Sequence, residues 1–163
     1  MSLVGEKAPD FELESTTGGT VRLSETLSSG PSVIVLFRGV WCSFCAEQLQ
    51  TFSELAYDMH RHQGIDIVPV TNDPVSDLVA FRDRFDLRIQ LCSDPDFSVA
   101  EAYTGVEEHP ELGQYTRSGT FVVDPEGIVR YQHVAAHAAD RTYANFVRYF
   151  VRNDYEDEFF ERV

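Results

Sequence analysis

Lysine is nearly missing from this chain: Lys7 is the only one in 163 residues. Basic side chains total 13 against 27 acidic ones, for a formal net charge of −14. A surface of that sign repels polyanions, so no nucleic-acid partner is expected. Cysteine is scarce too, with Cys42, Cys45 and Cys92 alone. Three is too few, and the wrong parity, for a disulfide scaffold. No apolar run approaches the ~20 residues that cross a membrane, so no membrane partner is expected. The opening MSLVGEKAPD lacks the basic and apolar pattern of an export signal, and a cytoplasmic location is the expectation. No repeat, low-complexity tract or Pro/Gly/Ser-rich linker divides the sequence. Metal, flavin and nucleotide motifs are not visible, so no cofactor is expected.

What is present is an apolar and aromatic chain, 43% hydrophobic and 12% aromatic, which excludes global disorder. Its length suits one domain over 1–163 with a core of its own, ending in an acidic tail over 153–163. That tail, NDYEDEFFERV, mixes acids with aromatics. It is read as packing on the fold, as a subunit contact or as a solvated helical end; a homodimer is a separate expectation. The charge balance is that of an ordinary acidic protein or of one adapted to high salt, where ions screen self-repulsion. The scarcity of lysine favours the second, a surface chemistry similar to that of halophilic proteins.

Periodicity predicts strands alternating with helices. Residues 11–13 and 21–23 alternate apolar and polar around Thr17-Gly18-Gly19, an N-terminal β-hairpin. Residues 24–27 predict one helical turn. SVIVLF, 32–37, is a continuous apolar run that suits a strand buried on both faces. Residues 47–62 carry Leu49, Phe52, Leu55, Ala56 and Met59 at helical spacing, with Gly64 as the stop. IDIVPVT, 65–71, predicts a second buried strand, although Pro69 lacks a ladder donor. A helix opening at Asp73-Pro74, a short strand over 89–92 and a short helix over 97–103 follow. Residues 105–117 are expected to be an irregular loop. Strands over 120–124 and 128–134 form a second hairpin about Pro125-Glu126-Gly127, and 140–150 predicts the last helix, with Tyr143, Phe146, Val147 and Phe150 inward. The expected fold is α/β: a mixed central sheet with helices on both faces.

The chemistry concentrates in FRGVWCSFCAEQL, between the first buried strand and the long helix. Three chemistries use two cysteines at this spacing: thiol–disulfide exchange, peroxide reduction and half of a zinc site. Zinc needs two more ligands, and the candidates, Cys92 with His133 or His137, do not form a second spaced pair. A thiol at a helix N-terminus faces unpaired N–H groups and the positive end of the dipole, and both favour thiolate, the nucleophile in either redox reaction. The spacing also lets one sulfur attack and the other resolve. Cys92, in a short apolar strand, reads as a buried small hydrophobe.

Three segments, in order, resemble one group. Gly5-Glu6-Lys7-Ala8-Pro9-Asp10-Phe11 is similar to a G-x-x-A-P-x-F opening. Arg38-Gly39-Val40-Trp41-Cys42-Ser43-Phe44-Cys45 is similar to R-G-x-W-C-P-x-C. Thr120 to Gly127 is similar to T-F-x-(I/V)-D-x-x-G. Together they resemble the thioredoxin-like superfamily and, within it, the peroxiredoxin-like group related to alkyl hydroperoxide reductase. The resemblance implies a thioredoxin-like fold and a thiol-dependent antioxidant enzyme that reduces peroxides through a Cys42/Cys45 dithiol–disulfide cycle. It leaves the first attacker open. A W-C-x-x-C pattern makes Cys42 the nucleophile. A P-x-x-x-T-x-x-C pattern puts the peroxidatic cysteine on Cys45, with Arg38 and Cys42 at the proline and threonine places. The proline that precedes the late strand in thioredoxins falls on Gly119.

The same resemblance implies Cys42, Cys45, Arg38 and Arg117 as catalytic residues. Trp41, Phe44, Gly119 and Thr120 are the expected substrate contacts. The substrate is a peroxide or a protein disulfide, and the reductant an external thiol, either a thioredoxin-like protein or a small molecule. Two other functions stay open: a thioredoxin-type protein disulfide reductase, and a non-catalytic redox-responsive binding domain.

Overall fold

A computed structural model describes residues 2–156. Most of the expected acidic tail, 157–163, lies outside the described residues. The elements run β1 (Glu12–Ser15), β2 (Thr20–Arg22), α1 (Leu23–Thr26), β3 (Ser32–Leu36), α2 (Ser43–Gln63), β4 (Asp66–Thr71), α3 (Val75–Arg84) and β5 (Cys92–Ser93). They continue with α4 (Ser98–Tyr103), β6 (Val106–His109), β7 (Gly113–Thr116), β8 (Gly119–Val123), β9 (Val129–Val134) and α5 (Ala144–Arg152). One seven-stranded sheet has the order β2-β1-β5-β4-β3-β8-β9. Its centre, β3-β4-β5, is parallel, and both edges are antiparallel hairpins. This is the mixed sheet that the alternation predicted.

Side-chain alternation along β3 splits the core. Val33, Val35 and Phe37 point to one face, where they meet Leu49, Phe52 and Met59 of α2, Leu78 and Phe81 of α3, and Val147 and Phe150 of α5. Ile34 and Leu36 point to the other face, against Val68, Val70, Leu23 and α4. Both faces are dry, which is why 32–37 carries no polar alternation. Each large side chain so buried contributes about 1.5–3 kcal/mol.

Pro69 sits inside β4 without breaking it. The Val70 carbonyl accepts from Phe37 N–H on the β3 side. By alternation Pro69 faces the β5 side, where pairing is confined to Val70 and Thr71. Its missing donor therefore removes no ladder bond.

Several expected boundaries move. Helix α2 starts at Ser43 rather than at residue 47, because Cys42 caps it. Gly64 ends it at φ +66°, and a Cβ there would stand 2.8 Å from the Ser29 carbonyl oxygen. The strand expected over 89–92 shortens to Cys92–Ser93. Residues 105–117 are not an irregular loop: β6 and β7 pair antiparallel as a separate hairpin. Its strands lack an apolar alternation because most of their side chains stay exposed or half-buried. The last helix starts at Ala144 instead of 140. The Asp140 carboxylate accepts from Ala136 N–H at 2.8 Å and meets His133 Nε2 at 2.7 Å, which holds the chain in a turn until Tyr143. Val147 and Phe150 of that helix are buried, whereas Tyr143 is 36% exposed.

The start of β8 is tight. Gly119 pairs with Leu36, and a Cβ on Gly119 would stand 2.5 Å from Thr104 Cγ2 and 3.1 Å from the His133 carbonyl oxygen. Gly119→Ala is expected to cost about 1–3 kcal/mol of folding stability through overpacking. Thr104→Ser, which deletes the nearer methyl, should recover part of that loss. Urea unfolding of the single and double variants checks both, and an unchanged midpoint in Gly119→Ala would overturn this reading.

Candidate active site

Parallel strands β3 and β4 end at the same edge of the sheet, and antiparallel β8 begins there. The crevice beyond such strand ends is where α/β folds collect their chemistry. The loop after β3 brings Arg38, Trp41 and Cys42; the turn after β4 brings Asp73; β8 brings Gly119 and Thr120. Asp73 fixes the first loop, its carboxylate accepting from Val40 N–H at 2.9 Å. Burial raises the pKa of that carboxyl.

Cys42 is the N-cap of α2. Its backbone is extended and its sulfur accepts from Cys45 N–H at 3.3 Å, as a cap oxygen otherwise does. Cys45 lies one turn on. Its Sγ accepts from Arg38 N–H at 3.4 Å. Above both stands Arg141, whose Nη2 lies 3.7 Å from Cys42 Sγ and 3.5 Å from Cys45 Sγ. All three cysteines are free thiols, and Cys42 and Cys45 are 4% and 0% exposed.

The two thiols are pulled apart electrostatically. The Cys45 side chain hydrogen-bonds to Cys42 and lowers the Cys42 thiol to about 6, helped by the Cys45 amide and the charges of Arg141 and Arg38. Cys45 moves the other way: burial, and then its bond to Cys42, hold it protonated. These opposite shifts favour a thiolate at Cys42 beside a protonated Cys45. Cys92 lies in the cluster on the opposite face of the sheet, and burial pushes its thiol up to about 12.

Arg141 was not legible in the sequence. It stands 96 residues from Cys45, in a stretch whose pattern predicted helix. What delivers it is a braced loop. Asp140 is tied to His133 and to Ala136 N–H. On the other side, the Thr142 carbonyl accepts from Gln48 Nε2 at 2.8 Å, and Thr142 Oγ1 lies 2.8 Å from Tyr131 Oη. Gln48 also reaches Thr120 Oγ1 at 3.4 Å, so Thr120 braces this loop through Gln48.

The other expected residues are placed as follows. The Arg38 guanidinium lies 4.8 Å from the Trp41 ring and 4.9 Å from the Tyr115 ring, and donates to Tyr115 Oη at 3.3 Å. Arg117 pairs with Glu107, Nε to Oε1 at 3.4 Å, and it is Arg141 that meets the sulfurs. Trp41 and Phe44 form an exposed rim, 43% and 40% accessible, and Trp41 rests edge-on against Tyr115. Among the described residues, no helix is long and apolar enough to cross a membrane.

Comparison with known proteins bears on the family and the fold. The AhpC/TSA family profile matches residues 4–132. The putative peroxiredoxin Rv2521 of Mycobacterium tuberculosis is 32% identical over 127 residues, 76% of this chain and 79% of that protein. The thiol-disulfide oxidoreductase ResA of Halalkalibacterium halodurans is 30% identical over 104 residues, 63% of this chain. The chain spans 57% of the length of that relative. The crystal structure of peroxidoxin BcpB from Mycobacterium tuberculosis matches with a TM-score of 0.79 at 26% identity, covering 94% of this chain and 98% of that one.

Because thiolate is the nucleophile, alkylation of Cys42 by iodoacetamide is expected to rise with pH through a midpoint of about 6. A depressed thiol pKa also favours the folded state at high pH, and that contribution is lost as pH falls through the same midpoint. Arg141→Gln removes a cation beside the sulfur, so the midpoint moves up and the rate at pH 6 falls several-fold, since an opposite charge at this range shifts a pKa by about 1–3. Thiolate absorbance near 240 nm checks the same midpoint. An unchanged midpoint in Arg141→Gln would remove Arg141 from the site.

Proposed function

The chain belongs to the AhpC/TSA family, and we propose that it is a thiol-dependent peroxidase that cycles Cys42 and Cys45 between dithiol and disulfide. The carrying observation is the geometry of the pair, two free thiols within one helical turn under one guanidinium, and it is supported by pKa shifts that lower Cys42 and raise Cys45.

The Cys42 thiolate attacks the terminal oxygen of a hydroperoxide. An S–O bond forms as the O–O bond breaks, leaving Cys42 as a sulfenic acid. The alkoxide or hydroxide leaves and takes a proton from solvent. Arg141 Nε and Nη1 are buried and make no hydrogen bond, so they are available to the oxygen as its charge develops. The Cys45 sulfur then attacks the Cys42 sulfur. Hydroxide departs, takes the Cys45 proton, and leaves as water with the disulfide formed. Two thiol equivalents from a thioredoxin-like protein or a small thiol return the dithiol.

This reading gives first attack to Cys42, although Cys45 occupies the cysteine place of the P-x-x-x-T-x-x-C pattern. The reason is charge: Cys45 is fully buried and stays protonated, so it resolves. Arg38 supports the Cys42 thiolate through its charge. Gly119 lets β8 approach closely, and Thr120 acts through Gln48.

A second reading rests on the exposed Trp41–Phe44 rim, which suits contact with a protein chain. There the same thiolate attacks a protein disulfide, forms a mixed disulfide, and Cys45 releases the reduced product. The acidic, lysine-poor composition supports a salt-rich cytoplasm as the working environment. Both molar and dilute salt therefore belong in the assay.

The test is stopped-flow oxidation of reduced protein by hydrogen peroxide, with Cys45→Ser and Cys42→Ser beside it and dimedone trapping read by mass spectrometry. Oxidation far faster than a free thiol, with Cys45→Ser trapping a sulfenic acid on Cys42, is expected. Fast trapping on Cys45 in Cys42→Ser would overturn the order of attack. Oxidation no faster than a free thiol, alongside rapid reduction of a protein disulfide, would replace this reading with the second.

A further inference from the structure

Beside the thiol pair, between the β6–β7 hairpin and the 135–138 turn, lies a cavity of about 230 Å³ lined by Arg38, Glu107, Tyr115, Arg117, Ser118 and His137 among others. Nothing in the reaction scheme above occupies it. Two of its donors lack a hydrogen bond, and a third lacks a carboxylate partner. Ser118 is 3% exposed and its Oγ makes no hydrogen bond. Arg117 Nε is buried without a hydrogen bond, its nearest acceptor being Glu107 Oε1 at 3.4 Å. The Arg38 guanidinium is held by two aromatic rings and a tyrosine hydroxyl and has no carboxylate partner among the described residues, in a chain with twice as many acids as bases. Buried donors without acceptors are costly, and native folds keep few of them.

Resting on the assignment of Cys42 and Cys45 as the redox pair, we infer that this cavity is a subsite for a carboxylate carried by a reactant of the thiol cycle. Two guanidinium groups and a hydroxyl are the donor set for a bidentate carboxylate. Arg38 and Arg117 against Glu107 leave one net positive charge. That suits a monoanion better than a phosphate dianion. The volume admits the carboxylate and a short chain rather than a macromolecule. Arg38 links the subsite to the chemistry. Arg38 lines the cavity, and its backbone N–H donates to Cys45 Sγ at 3.4 Å. Neither cysteine lines the cavity, so a molecule anchored there by one end would reach the sulfurs with its other end past Arg38. In a chain of net charge −14 this local reversal of sign also selects anions that the rest of the surface repels. The carboxylate belongs to one of two molecules: an organic hydroperoxide substrate or the small thiol that reduces the disulfide.

Trp41, the sole tryptophan, lies against Arg38 and reports occupancy directly. Propionate is expected to change Trp41 emission saturably, and propionamide is not. Arg117→Gln and Ser118→Ala should weaken the propionate response about tenfold or more, the lower end of what a charge-assisted hydrogen bond contributes. The source is read in two half-reactions. A carboxylate-bearing alkyl hydroperoxide is compared with its methyl ester in oxidising the dithiol form, and 3-mercaptopropionate with its methyl ester in reducing the disulfide form. About tenfold preference for the acid in the first names the hydroperoxide, and in the second names the reductant. In either case Arg117→Gln should bring the acid-to-ester ratio close to one. No propionate response together with ratios near one in both half-reactions would overturn the subsite, as would a preference that survives both variants. The fluorescence arm and the thiol arm do not need peroxidase activity, so failure of the peroxide chemistry alone is distinguishable from failure of the subsite.

Discussion

The amide of Cys45 donates to the sulfur of Cys42, and most of the site depends on that bond. It starts α2 four residues before the apolar periodicity does. It places Cys42 where unpaired helix amides and the dipole favour negative charge. The same turn puts Cys45 behind Cys42, where burial keeps its proton. In the proposed cycle, a nucleophile and a resolving thiol with opposite pKa shifts thus follow from one capping interaction. A serine at residue 42 would cap as well, but could not do the chemistry.

The cap alone leaves the charge uncompensated on its outer side. Arg141 supplies the compensation through Nη2, which contacts both sulfurs, and its neighbours hold the loop that carries it. Asp140 and Thr142 flank it in sequence, and each is tied to the sheet or to α2. Buried Gln48 is central to this, since its amide reaches both Thr120 and Thr142. The guanidinium keeps two nitrogens without hydrogen bonds, an arrangement costly for stability and suited to a group that must receive developing charge.

Much of this was legible from residue patterns. The parallel centre of the sheet follows from two apolar runs separated by a helix, and both hairpins follow from Gly-containing turns. The reading failed where tertiary partners overrode local preference. Residues 140–143 have helical spacing, yet the Asp140 carboxylate is taken by His133 and Ala136, and the helix waits until Ala144. The β6–β7 hairpin was missed because a mostly exposed ribbon has no dry face to impose alternation. The family resemblance implies Arg117 at the thiols, but its guanidinium pairs with Glu107 and the residue lines the neighbouring cavity.

By itself, then, the sequence determined the layered α/β architecture, the cysteine pair and its place at a helix start, and the acidic character of the surface. Those properties are local: periodicity, turn chemistry and spacing along one turn of chain are enough to produce them. Tertiary structure alone decided how deeply Cys45 is buried, which arginine faces the pair, and that Arg38, Arg117 and Ser118 share a cavity. Protonation depends on burial and on charges brought from 96 to 99 residues away, and no local pattern records which distant side chains the fold will bring together.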